Sequence, residues 1–244
     1  MFPFRDHNPS RTTPWVTLGL IVANIAVYLL MTLPLNDLQL IAFYQEYGLT
    51  PARPEASDYL TAMFLHGGVM HLAGNMLFLW IYGDNLEDEM GHLPFLGFYL
   101  ATGVVASFLH VTTSPGSPVP LVGASGAIAG VMGGYLLLFP KAKIDVLFII
   151  VIIPKIWPIP AWIVLAIWFA LQLVNGAASP AAGGGVAYWA HVGGFLAGVI
   201  GTLPWFLKEG AARWWQRTDG HPPHPDAHYG QLSNTSIPTV RRRK

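Results

Sequence analysis

The stretch GASGAIAGVMGGYLLLF, residues 123–139, decides the fold of this chain. It is apolar enough to form a membrane helix, and its glycines recur at every fourth position: Gly126, Gly130 and Gly134. Small residues at this spacing let helix backbones approach closely in lipid. Ser125 nevertheless lies at the start of the stretch, and His191 opens another apolar stretch 66 residues later. Because polar side chains at membrane depth cost free energy and usually face a bundle interior or a wet cavity, both residues are functional candidates.

The composition is that of a membrane protein. Of the 244 residues, 53% are hydrophobic and 11% are charged, with a mean hydropathy of +0.46, whereas ordinary soluble domains carry about 25% charged residues. The formal net charge is zero, which gives no indication of a nucleic-acid partner. The chain has no Cys, so a disulfide framework and a thiolate site are both excluded.

Six segments are candidates for membrane spans, each of which needs about 20 mostly apolar residues. They cover residues 15–33, 71–90, 95–111, 123–139, 159–174 and 187–206. The segments lack the alternation of barrel strands, so we predict an all-α, polytopic membrane protein with a six-helix bundle. Residues 144–153 are apolar but too short to span, and we assign them to an interfacial segment that leads into the fifth helix.

The predicted domain organisation has three parts: a cytoplasmic N-terminal segment 1–14, the membrane domain 15–206 and a flexible cytoplasmic tail 207–244. Six spans place twelve of the thirteen Lys and Arg residues on the side of both termini, and only Arg53 on the other side. The positive-inside rule then predicts that both termini are cytoplasmic.

This topology brings distant polar residues to one depth. The second, fourth and sixth helices run in the same direction, so their first turns lie about 5 to 10 Å beneath the membrane face opposite the termini. These turns carry His71, Asn75, Ser125 and His191. Serine needs a base to attack a carbonyl, and histidine is the usual one. Backbone N–H groups and an Asn amide are donors for the resulting oxyanion. No carboxylate lies at this depth, so a Ser–His dyad is expected.

The order of these residues resembles that of the rhomboid intramembrane serine proteases, over roughly residues 15–206. The resemblance rests on Phe64-Leu65-His66, His71-Leu72, Asn75-Met76, Gly123-Ala124-Ser125-Gly126, Ala190-His191 with Gly194 and Gly198, and the turn with Gly83, Glu87 and Gly91. Each motif alone is weak, whereas the combination is highly specific.

The resemblance implies a serine endopeptidase that cleaves transmembrane protein substrates near the extracytoplasmic side of the bilayer, without metal or cofactor. It implies that Ser125 is the nucleophile, that His191 is the general base, and that His71, Asn75 and the Ser125 backbone N–H form the oxyanion site. Structural roles are implied for His66, Glu87, Gly126, Gly130, Gly194 and Gly198. It further suggests a multi-pass protein of the bacterial inner (plasma) membrane, and leaves the oligomeric state open.

One departure from the family pattern concerns the support of His191. Some rhomboids place a tyrosine four residues after the serine, where it stacks on the catalytic histidine. This chain has Ala129 at that position. We therefore expect another side chain, such as an aromatic residue from a neighbouring helix, to support His191.

Other interpretations of the same residues exist. A lone serine at a helix start is usually a cap or packing residue, and a lone histidine in a span usually bonds a neighbouring helix. His66 and His71 suggest a metal site, but no HExxH motif or Cys accompanies them. The GxSxG motif of soluble hydrolases is also absent, because Ala127 stands where the motif has its second glycine.

A non-catalytic rhomboid-like protein that escorts client helices is the alternative function. A transporter would need intramembrane acids or paired broken helices, which the sequence does not indicate.

Overall fold

The computed structural model describes residues 2–150, 153–179 and 185–223. Six helices build the membrane domain: α1 (Trp15–Val27, continued by a π-helical turn Tyr28–Thr32), α4 (Val69–Met90), α5 (His92–Thr113), α6 (Ser125–Leu138), α7 (Ala161–Ala178) and α8 (Tyr188–Lys208). Between α1 and α4 lie α2 (Asp37–Tyr47), α3 (Asp58–Thr61) and a 3₁₀ turn (Ala62–Phe64). The strands are β1 (Phe2–Asp6), β2 (Lys143–Ile150) and β3 (Ile153–Pro160), and α9 (Ala212–Thr218) follows the last long helix.

Each of the six predicted segments corresponds to one long helix, which confirms the polytopic helical fold. Four of them are long and apolar enough to cross a membrane alone: Trp15–Thr32, His92–Thr113, Ala161–Ala178 and Tyr188–Lys208. Helix α4 forms a bent pair, at 97°, with the short helix Asp58–Phe64 that precedes it. Helix α6 has 14 residues and is therefore only about 21 Å long, less than the roughly 30 Å of a hydrocarbon core. A helix of this length cannot reach both faces of the hydrocarbon core, so at least one of its ends lies within the membrane.

The structure adds a three-stranded antiparallel sheet, in the order β1-β2-β3, that the sequence analysis did not include. The segment 144–153, predicted to be an interfacial lead-in, forms β2 and the start of β3. Ile144 and Val146 of β2 are fully buried against the bundle. Asp145 points the other way, where it binds Arg5 Nε at 2.6 Å and His7 Nε2 at 2.7 Å. Two side chains of the N-terminal segment thus bind Asp145 and tie this segment to β2.

Glu87 connects the end of α4 to the beginning of α1. Its buried carboxylate accepts hydrogen bonds from the backbone N–H groups of Val16 (2.9 Å) and Thr17 (2.8 Å) and from Thr17 Oγ1 (2.7 Å). His92 Nδ1 lies 2.5 Å from the same carboxylate. The first N–H groups of a helix have no partner within the helix, and a negative charge there is favourable. Glu87 therefore caps α1.

The predicted tail 207–244 is partly ordered by α9. Trp214 is buried, and its indole N–H donates to the carbonyl oxygen of Leu138 at 2.9 Å, while Trp215 donates to Leu137 at 3.0 Å. These bonds satisfy carbonyls of the last turn of α6, which lack partners within the helix. Residues 224–244 of the predicted tail lie outside the described residues.

Helices α6 and α8 pack backbone to backbone along their glycine positions. A Cβ atom on Gly194 would overlap the carbonyl oxygen of Gly126, and one on Gly198 would overlap that of Gly130. Gly133 meets the carbonyl of Phe195 in the same way. The repeated small residues therefore set the separation of the two helices that carry Ser125 and His191.

Candidate active site

The structure brings Ser125 and His191 into hydrogen-bond contact. Ser125 is the first residue of α6, and His191 lies in the first turn of α8. Their Oγ and Nε2 atoms are 2.8 Å apart. Both groups are placed by the close packing of α6 on α8, because Gly126 follows the serine directly and Gly194 lies three residues after the histidine. A hydroxyl and an imidazole at this distance suit proton transfer from the serine to Nε2.

The second ring nitrogen of His191 is held by a residue that the sequence analysis missed. Nδ1 lies 2.8 Å from Gln172 Oε1 on α7. The Gln172 amide also donates from Nε2 to the backbone carbonyl of Trp168, at 3.2 Å. The available signal was a polar side chain in a helix that is otherwise almost wholly apolar, AWIVLAIWFALQLVNGAA, since such residues in a span are functional candidates.

Trp168 takes the place that the sequence analysis left for an aromatic side chain. Its ring centroid lies 5.7 Å from that of His191, with an angle of 35° between the planes. Trp168 also neighbours Phe195, one turn further along α8. The imidazole is thus held on one side by the indole ring and at Nδ1 by an amide of the same helix.

His71 and Asn75 face the backbone just before the serine. The N–H of Gly67 approaches His71 Nδ1 at 3.4 Å, so Nδ1 is the acceptor and the neutral ring carries its proton on Nε2. A Cβ on Gly123 would lie 2.9 Å from that Nε2 and 3.6 Å from Asn75 Nδ2. Gly123 has φ +125, a conformation that side chains disfavour. Within the described residues, the buried Asn75 Nδ2 has no hydrogen-bond partner. Both donors therefore lie against Gly123, two residues before Ser125.

His66 lies behind this group rather than in it. It is fully buried, and its ring is packed edge-on to His71 with centroids 5.2 Å apart. Tyr44 Oη donates to the His66 carbonyl at 2.6 Å, which ties α2 to this loop. Burial and the neighbouring His71 lower the pKa of His66 to about 4. The ring is therefore neutral at pH 7 and acts as a packing group.

We expect the stability of the protein to fall when the pH is lowered from 7 to 5, in part through His66. An unfolded histidine has a pKa of 6.5 and the folded His66 has one of about 4. Between these values the unfolded chain binds a proton that the folded chain excludes, so stability is lost as the pH drops. The loss reaches about 2 kcal/mol at pH 5. Thermal unfolding of wild type and His66→Gln measures it: the wild type should lose more in Tm than the variant, and parallel pH dependences would contradict the assignment.

A cavity of about 630 Å³ opens over these groups. Its walls come from five of the long helices, α4 to α8, and from the segment before α6, and include Met70, His71, Asn75, Ser125, Trp168 and His191. His110, near the end of α5, also lines it and was not anticipated. No group of three or more His, Cys, Asp or Glu that could hold a metal occurs in residues 2–150, 153–179 and 185–223. A serine hydroxyl paired with an imidazole, beside further hydrogen-bond donors around one cavity, is an arrangement suited to acyl transfer.

Comparison with known proteins gives one family. The family model described as the Rhomboid domain matches residues 53–207. The chain is 30% identical over 212 residues to Rhomboid protein 1, mitochondrial, of Saccharomyces cerevisiae, covering 82% of this chain and 55% of that protein. It is 28% identical over 134 residues to the human Presenilin-associated rhomboid-like protein, mitochondrial, covering 54% of this chain and 35% of that protein. It is 40% identical over 104 residues to Rhomboid protease GluP of Bacillus subtilis, covering 41% and 19%. The chain thus spans about half the length of the yeast relative and less of the others.

The predicted location in a bacterial inner membrane is wrong. The yeast relative, which aligns over 82% of the chain, and the human relative are both mitochondrial by name, whereas the bacterial relative aligns over 41%. The prediction rested on the family resemblance, and the distribution of Lys and Arg separates only the two faces of a membrane. Neither of them says which membrane holds the protein, so neither could distinguish a bacterium from an organelle.

Proposed function

The chain belongs to the rhomboid family, and on that premise we propose that it is an intramembrane serine endopeptidase that cleaves membrane-spanning client proteins. The family includes serine proteases, and one relative is named a rhomboid protease. The observation that carries the proposal is the 2.8 Å contact between Ser125 Oγ and His191 Nε2. An escort protein that only binds client helices has no need of a nucleophile paired with a base.

The reaction proceeds in two steps of acyl transfer. His191 Nε2 takes the proton of Ser125 as the oxygen attacks the scissile carbonyl carbon of the client. The tetrahedral intermediate collapses when the C–N bond breaks and His191 returns the proton to the leaving amine. Water then attacks the acyl-enzyme by the same route, which releases the new carboxyl end and restores Ser125.

Negative charge on the tetrahedral oxygen requires preorganised donors. Asn75 Nδ2, which has no partner in the described structure, and the His71 Nε2 proton supply two of them. The Ser125 backbone N–H, at the start of α6, supplies a third, since the first N–H groups of a helix are free. This arrangement supports the oxyanion roles given to His71 and Asn75, and it involves no metal.

The client segment must be partly unwound to react. In lipid, a helical peptide bond is shielded by its own hydrogen bonds, and breaking them costs several kcal/mol for each unsatisfied group. Ser125 lines a cavity whose polar side chains can pair with the freed groups. The preferred substrates are therefore clients with small or helix-breaking residues near the extracytoplasmic end of their membrane span.

We expect a client with a Gly- and Pro-containing stretch at that end of its span to be cleaved at least about ten times faster than a matched client with leucine there, because local unwinding costs less. Both clients and the purified protein are reconstituted in lipid vesicles, and mass spectrometry locates the cut. A serine-directed fluorophosphonate probe should modify Ser125 in the same preparation. Client binding with neither cleavage nor labelling would favour the escort function instead.

A further inference from the structure

Gln172 is the most informative polar residue outside the groups discussed for catalysis. It is only 7% exposed and lies on α7, and its Oε1 is 2.8 Å from His191 Nδ1. It is not one of the residues that line the cavity. Contact with a client in the cavity therefore does not explain why a polar residue stands at this position. The explanation must lie in the hydrogen bonds that Gln172 makes.

The two hydrogen bonds of Gln172 fix the orientation of its amide. Nε2 donates to the Trp168 carbonyl oxygen at 3.2 Å, so Oε1 is the atom that faces His191. The flipped amide would place Oε1 against the carbonyl oxygen, which is an unfavourable contact between two acceptors. Since Oε1 only accepts, Nδ1 of His191 must carry the ring proton. The lone pair of the neutral ring is then on Nε2, the atom that faces Ser125.

We propose that Gln172 is a positioning residue that holds His191 in the tautomer and orientation required of the general base, an inference that rests on the proposed function. In soluble serine proteases a carboxylate performs this task. Here the position is surrounded by membrane helices, where an unpaired carboxylate is costly. A neutral amide provides the acceptor without a buried charge. Helix α7 thus supplies two supports to the imidazole, an amide and, one turn earlier, the indole of Trp168.

The kinetic test compares Gln172→Met, which keeps the length of the side chain but removes the acceptor, with Gln172→Glu, which keeps an acceptor. We expect kcat for Gln172→Met to fall by about 100-fold, less than the roughly 10⁴-fold that a wrong tautomer costs in a serine-protease triad, because Trp168 still packs on the ring. KM should change by less than about twofold, and Gln172→Glu should recover at least about a tenth of wild-type kcat. Leu171→Met, at the exposed neighbouring position, is the matched control and should behave as wild type. An unchanged kcat in Gln172→Met would overturn the proposal.

A second measurement does not depend on activity. In ¹⁵N-histidine-labelled protein, the His191 signals are those lost in His191→Gln, and their chemical shifts report which ring nitrogen is protonated. We expect a protonated Nδ1 in wild type and Gln172→Glu, and loss of this preference in Gln172→Met. A wild-type ring protonated at Nε2 would refute the inference. If no variant cleaves any client but the tautomer follows Gln172 as expected, the proposed function fails and the positioning role stands. If Gln172→Met does not fold, Gln172→Glu and wild type decide by the same signals.

Discussion

Replacement of Ser125 by alanine should lower the rate of client cleavage by about 10⁶-fold, the size of the loss seen when a serine protease loses its nucleophile. The fold should be retained, because the serine makes its one described side-chain hydrogen bond to His191 Nε2. The measurement is kcat/KM in lipid vesicles, with the thermal unfolding midpoint of each variant as a check on folding. Ser107→Ala is the matched control, since Ser107 is also a buried serine of a membrane helix, on α5. It should keep its activity within a few fold.

The same experiment tests whether Ser125 and His191 act as a unit. His191→Gln alone should be nearly as inactive as Ser125→Ala, and the double variant should be no slower than either, because residues that act together have strongly non-additive effects. Multiplicative losses would indicate independent contributions and would refute the dyad. Full cleavage by Ser125→Ala would remove the nucleophile assignment, and the cut would then have to be ascribed to another protease in the preparation.

The helical bundle was predictable because each span must satisfy its backbone hydrogen bonds within its own helix. A run of apolar residues in the local sequence therefore marks each span. Convergence of Ser125 with His191 also followed, because helices of the same direction place their first turns at the same depth. The 2.8 Å contact needed more than depth, since it depends on how far apart α6 and α8 lie. The glycine repeats gave that separation in outline.

Other features depend on contacts that no local pattern specifies. Strand β1 pairs with β2 through partners such as Phe2 and Leu147. Such a pairing depends on tertiary context more than on the residues of the strand itself. Gln172 was missed because its role depends on the rotation of α7 about its axis, which an almost wholly apolar helix leaves undetermined. Helices that carry several polar or glycine residues therefore indicate which of their faces lies toward the site, whereas α7 does not.

The second large effect is expected for Gly198→Ala, which should lower the stability of the fold by about 3 kcal/mol. A Cβ atom at this position would overlap the carbonyl oxygen of Gly130, which is backbone and has no rotamer by which to escape. Helices α6 and α8 would have to separate, and overpacking of a tight interface typically costs 1 to 3 kcal/mol or more. At about 2 to 4 °C per kcal/mol for a chain of this size, Tm should fall by about 10 °C.

Gly97→Ala is the matched control, since a Cβ there meets nothing within 4 Å on the exposed side of α5. It should hold or raise Tm, because alanine is the better helix former by about 1 kcal/mol. A wild-type Tm for Gly198→Ala would show that the contact between Gly198 and Gly130 does not determine how closely the two helices pack.

Gly198→Ala should also slow catalysis, although Gly198 is two helical turns from His191. The same glycine face continues to Gly194, which meets Gly126 next to the serine. Helices that separate at Gly198 therefore carry Ser125 and His191 apart, and a displacement of about 1 Å can cost about 100-fold in rate. The loss should appear in kcat of the folded fraction, measured below its Tm. A variant that is destabilised but retains wild-type kcat would mean that the distance between the two residues is set by α7 and the cavity walls rather than by the packing of α6 on α8.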